Sequence, residues 1–198
     1  MCTRDNGAIC LYPWTETGPC KSVVKSVEEI VVKTLVIYDS VYGNTEKIAR
    51  AIGGALGAPD EVKVLRVGEV QPEDLAGVDL LVVGSPTQKF RPLPAASALL
   101  KGLPAQGLKG VRVAAFDTRL EMDDSQPAVL RFFEKIFGYA AEPLADGLKK
   151  KGARLVVPPE GFIVKGVEGP LKDGELERAA EWGRKIRSES TSLNYSRE

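Results

Sequence analysis

The chain of 198 residues contains no histidine. That absence excludes imidazole acid–base catalysis, a Ser-His-Asp triad and any metal centre built on histidine. Cysteine is scarce: Cys2, Cys10 and Cys20 all fall within the first twenty residues. Their wide spacing matches no zinc or iron–sulfur pattern, and their odd number argues against a closed disulfide framework. A body free of cysteine suits a reducing compartment, so a cytoplasmic location is expected. Net charge is lacking too, since 27 basic side chains balance 27 acidic ones. Nothing in that balance points to nucleic acid. No apolar run is long enough to cross a bilayer, so no membrane span is expected. Backbone dipoles, hydroxyls, carboxylates, a few cations and a bound cofactor are what remain to carry chemistry.

What is present is a regular alternation of strand and helix signals from residue 33 onward. Hydrophobic residues make up 43% of the chain, enough for a core. Strands are predicted at 33–38, 61–66, 80–83, 111–116 and 154–157, the last resuming at 161–164 after Pro158-Pro159. Helices are predicted at 44–56, 95–101, 125–137, 141–151 and 173–187, with a helical turn at 72–75. This alternation marks a parallel sheet covered on both faces. Trp182 shares a helix face with Leu176, Ala179 and Ile186 and is read as core. The Lys149-Lys150-Lys151 run is read as a solvated helix end. Residues 189–198 read as a frayed tail.

The most informative stretch runs from Val36 to Ala49. A buried strand ends at Tyr38, a short polar loop follows, and a helix opens at Asn44 or Thr45. Ser40, Tyr42, Asn44 and Thr45 surround the single glycine, Gly43. Such a loop aims free backbone N–H groups and the positive end of a helix dipole at one point, a ready site for a phosphate. The loop itself holds no lysine or arginine, so neutral dipoles would do the binding. Asp39, next to the loop, is read as a structural carboxylate or cap, because a phosphate would repel it.

The run Asp39-Ser40-Val41-Tyr42-Gly43-Asn44-Thr45-Glu46 resembles the phosphate loop of the flavodoxin family. Tyr42 stands where many members have threonine. A second likeness is Gly84-Ser85-Pro86-Thr87, where a strand ends as in the flavodoxin loop beside the flavin ring. The resemblance covers about residues 33–188 and implies a doubly wound, five-stranded parallel α/β sheet in the order 2-1-3-4-5 with flavin mononucleotide (FMN) as cofactor. In such sheets ligands lie beyond the carboxyl ends of the strands. The loops at 40–45, 84–93 and 117–124 are therefore expected to form the site. Candidate cofactor-binding residues are Ser40, Val41, Tyr42, Gly43, Asn44 and Thr45 in the first loop. Ser85, Pro86, Thr87, Gln88 and Phe90 follow in the second, and Asp117, Thr118 and Arg119 in the third. Gly84 and its small neighbours would let the main chain approach the ring closely, and Phe90 is the aromatic available to stack. The third loop lacks the tyrosine that many flavodoxins use there, leaving Leu120 and Met122. Two readings of Arg119 stay open. It either faces the ring or pairs with Asp117, Glu121, Asp123 or Asp124.

The resemblance implies an electron carrier working with a reductase or an acceptor protein. An FMN-dependent NAD(P)H:quinone-type oxidoreductase and a flavin-free binding or signalling module are the alternatives. The near-neutral charge, unlike the acidic balance general in flavodoxins, does not guarantee an acidic docking face for a basic reductase. Residues 1–32 differ from the body and lack a signal-peptide pattern. They are read as a disordered extension, as the product of a start placed too far upstream, or as a segment whose cysteines have a role.

Overall fold

Leu35, Val36, Ile37 and Tyr38 are all buried, which is why the first strand sits in the middle of the sheet rather than at its edge. A strand with helices on both faces needs apolar residues at every position. The computed structural model describes residues 33–89, 91–120 and 139–195. In chain order these form β1 (Thr34–Tyr38), α1 (Asn44–Leu56), β2 (Val62–Arg66), α2 (Pro72–Leu75), β3 (Leu80–Pro86), α3 (Pro94–Gly102) and β4 (Arg112–Leu120). There follow α4 (Ala141–Lys150), β5 (Arg154–Leu155), β6 (Glu160–Val164) and α5 (Glu175–Tyr195). The expected helix at 125–137, Phe90, Met122, the three cysteines and the extension at 1–32 lie outside the described residues.

All strand pairs in the sheet are parallel, in the order β2-β1-β3-β4-β5, with β6 also on β4. Strand five is thus one sheet position filled by two short pieces, as the Pro158-Pro159 break implies. β5 pairs with Arg112 and Val113, and β6 with Phe116–Leu120. The order reverses between β1 and β3, so their carboxyl ends diverge around a crevice.

Two cores flank the sheet. On one face α1 and α5 bury Ile48, Ile52, Trp182 and Ile186 against Val36, Val82 and Phe116. Phe116, Phe162 and Trp182 meet edge to face with centroids 6.0–6.2 Å apart, so Trp182 is core as expected. On the other face α3 and α4 bury Leu100, Leu144 and Leu148 against Leu35, Leu81 and Val113.

The ends of β3, β4 and the last helix differ most from the sequence reading, each for a tertiary reason. β3 continues to Pro86 and β4 to Leu120, because Ser85 pairs with Asp117 and Pro86 with Thr118 while β6 covers the other edge. Neighbouring strands thus hold polar residues in the ladder that local pattern assigns to loops. α5 runs to Tyr195 rather than fraying beyond Ser188. Ser190 is buried there, and its carbonyl accepts a hydrogen bond from the Arg112 guanidinium. Finally, Lys151 is not simply solvated, because its ammonium donates to the Leu103 carbonyl beyond the end of α3.

Candidate functional site

The head of α1 is built by a chain of local hydrogen bonds. The Ser40 N–H donates to Asp39 Oδ1 at 2.9 Å, and the Gly43 N–H donates to Ser40 Oγ at 3.0 Å. Asp39 is thus a structural carboxylate, as read from the sequence. Gly43 caps the helix at φ 81°, in the left-handed region that glycine enters without steric cost. A Cβ added at Gly43 would meet no protein atom within 4 Å, so the space at the helix head is open. The amides of the first helical turn have no intrahelical acceptor and sit at the positive end of the dipole. The loop has no cation of its own, but the Arg66 guanidinium of β2 braces it by donating to the Ser40 carbonyl at 2.7 Å.

The Thr45 hydroxyl is buried and lies 2.8 Å from the Thr118 hydroxyl of β4. Whichever oxygen accepts in that bond keeps its own proton, so the pair retains one donor for a ligand. Asn44 also has a structural partner. Its amide donates to the Glu168 carbonyl at 2.9 Å, tying α1 to the loop after β6.

Beyond these groups the carboxyl ends of β1, β3, β4 and β6 enclose a cleft of about 480 Å³, counting open solvent at its mouth. Ser40, Val41, Tyr42, Asn44 and Thr45 line it from the first loop, Pro86, Thr87 and Gln88 from the second, and Thr118, Arg119 and Leu120 from β4. Val164 and Val167 complete the lining. Sequence reasoning gave their loop no role, although the rule of strand carboxyl ends applied to β6 would have found it.

Some candidates stand behind the cleft. Ser85 is fully buried; its hydroxyl accepts from the Leu93 N–H at 2.9 Å and faces the Pro86 carbonyl at 3.2 Å. Ser85 therefore shapes the loop from behind. Gly84 does not serve close approach to a ligand. A Cβ there would come within 2.0 Å of the Phe116 ring, so the glycine makes room for the core aromatic. The Thr87 hydroxyl accepts from the Ala140 N–H at 2.9 Å, which ties the second loop to the segment before α4. Phe90 is not described, yet Tyr42 brings an aromatic ring to the cleft at the loop itself.

Arg119 resolves in favour of pairing. Its Nε and terminal nitrogen donate to the two carboxylate oxygens of Asp117 at 2.6 and 2.9 Å. The Arg119 Cζ lies over the Tyr139 ring, 3.6 Å from its centroid, with Gly161 leaving the space the guanidinium fills. Tyr139 was missed because nothing local links it to β4. Asp117 also accepts from the Ala141 N–H at 2.9 Å. Burial pushes the Asp117 carboxyl above the usual range, and the Arg119 charge offsets only part of that effect.

The flavodoxin profile matches residues 36–182. The chain belongs to the flavodoxin family. Solved flavodoxins share the fold. Oxidised flavodoxin 1 from Bacillus cereus superposes with a TM-score of 0.61 at 20% identity, covering 78% of this chain and 97% of that one. A WrbA-like flavodoxin from Agrobacterium tumefaciens has a TM-score of 0.61 at 18% identity, covering 80% and 97%. Rubredoxin oxygen:oxidoreductase from Desulfovibrio gigas has a TM-score of 0.60 at 20% identity, covering 80% of this chain but 36% of that larger one. Flavodoxin membership implies a flavin, typically FMN. The open space at the head of α1 and the hydroxyl donors beside it fit the phosphate of such a group. Among the described residues no group of acidic or cysteine side chains could hold a metal ion, and no helix is long and apolar enough to cross a membrane.

Proposed function

We propose that this chain binds FMN in the cleft and transfers electrons between protein partners in the cytoplasm. The observation that carries the reading is the meeting of two unlike surfaces in one cleft. One is the amide- and hydroxyl-rich head of α1. The other is an apolar rim of Val41, Tyr42, Leu120 and Val167, each 43–70% exposed. Large apolar side chains left this exposed around a concavity mark a binding site. A phosphate-bearing planar heteroaromatic matches both surfaces at once.

Bound FMN would supply the redox chemistry. The chain's residues bind, orient and shield. The α1 amides and the Thr45–Thr118 pair would hold the phosphate. Pro86, Thr87 and Gln88 would line one side of the ring, and Leu120 with Tyr42 would keep water from it. Arg119, neutralised by Asp117, offers the cleft little net charge, so it would not strongly favour an anionic ring.

A second reading is an FMN-dependent NAD(P)H:quinone-type oxidoreductase. It is supported by the exposed apolar rim, which leaves room for a planar substrate. The test is an absorbance spectrum after FMN is added and excess is dialysed away. Retention of one FMN per chain is expected, and a colourless protein would overturn the proposal. Loaded protein that needs a separate reductase is a carrier. Unaided oxidation of NAD(P)H by quinone would identify the enzyme instead.

A further inference from the structure

The loop that follows β6 is a formed hairpin. The Lys165 N–H donates to the Pro170 carbonyl at 2.8 Å, and the Lys172 N–H donates to the Ile163 carbonyl at 2.9 Å. Within it the Gly169 N–H closes a turn onto the Gly166 carbonyl at 3.0 Å. The hairpin is fastened to the phosphate loop by Asn44, whose amide donates to the Glu168 carbonyl. Gly169 lies so close to Asn44 that a Cβ would stand 2.6 Å from its Nδ2, and at φ 108° a side chain would be strained as well. The tip carries Val167, which is 70% exposed and lines the cleft. An isopropyl group held out in water by a hydrogen-bonded hairpin, and anchored to the residue that opens α1, packs against little of the protein itself.

We infer that Val167 is a ligand-contacting residue, and that the 165–170 hairpin forms a further wall of the flavin site, positioned by Asn44. This inference rests on the FMN reading. Val167 supplies apolar contact to the bound molecule. Asn44 is a positioning residue that links the phosphate cradle to that wall, so filling the cradle steadies the hairpin.

The test is an FMN titration, followed by flavin fluorescence, of the full chain and its Val167→Ser and Asn44→Ala variants. Amide hydrogen exchange of residues 165–170 is measured with and without FMN. Because Val167 is exposed, Val167→Ser should leave the thermal midpoint of the FMN-free protein unchanged and weaken FMN about fivefold through lost apolar burial. FMN should slow exchange across 165–170 in the parent chain and do so less in Asn44→Ala. Unchanged affinity in Val167→Ser, beside a parent chain that binds FMN, would overturn the hairpin's role and leave the proposed function standing. Exchange in the hairpin indifferent to FMN would overturn the coupling through Asn44. Failure of the parent chain to bind FMN would overturn the proposed function, and the hairpin's role with it.

Discussion

The hydroxyls of Thr45 and Thr118, 73 residues apart in sequence, lie 2.8 Å from each other and join the head of α1 to β4 at the floor of the cleft. Both are buried, so each single Thr→Val replacement strands a hydroxyl and should cost about 1–2 kcal/mol. The double replacement removes both polar groups and should cost less than the sum of the two. Urea unfolding of the three variants checks this. Additive losses would mean that the two hydroxyls do not depend on each other. FMN affinity should fall most in the double variant, which has no hydroxyl donor left, because each single variant keeps the O–H of the remaining threonine.

Gly43→Val places a β-branched residue at φ 81°. The left-handed region costs such a side chain at least about 1–2 kcal/mol, and the added carbons enter the open space at the helix head. Lower stability together with loss of FMN binding is expected, read from a denaturation curve and a fluorescence titration. Native FMN affinity in this variant would remove the phosphate-loop assignment.

Gly84→Ala tests a structural role. The new methyl would fall within 2.0 Å of Phe116, which is itself locked against Phe162 and Trp182. Overpacking of this kind costs about 1–3 kcal/mol. The urea midpoint should drop accordingly. An unchanged midpoint would show that the aromatic cluster can move aside.

Asp117 imposes a pH dependence. Its carboxyl is raised in the folded state by burial, so the folded chain holds that proton more tightly than the unfolded chain does. The resulting stability is fully present below the ordinary carboxylate range. It is lost as pH rises from that range through the raised folded value. Asp117→Asn has no such proton to lose. The stability of the parent chain relative to this variant should therefore fall as pH rises through that window, measured by urea unfolding across a pH series. A difference that grows with pH would mean that Arg119 and the Ala141 N–H outweigh burial.

Much of the architecture was legible in sequence. Apolar strands at 34–38 and 80–83 needed helices on both faces, and the polar turn around Gly43 announced the start of a helix. Both follow from local pattern and elementary backbone geometry, so one chain segment suffices to read them. Nothing local distinguishes Ser85, hydrogen-bonded within its own loop, from a ligand-facing serine. Nothing local reveals that Gly84 makes room for Phe116 or that Arg119 lies on Tyr139. Strand ends were misjudged at Pro86 and Leu120 because pairing with a neighbour, not polarity, keeps a residue in a ladder.

The sequence by itself determined the alternation of strands and helices and the polar turn before α1, because hydrophobic period and turn chemistry act over a few residues at a time, while the strand order followed from the resemblance to flavodoxins. Only the tertiary structure decided which polar groups face the cleft, that Arg119 is neutralised by Asp117, and that Val167 stands at the rim. Those outcomes depend on contacts between elements far apart in the chain, where burial and the competition for hydrogen-bond partners choose among arrangements that local pattern leaves equal.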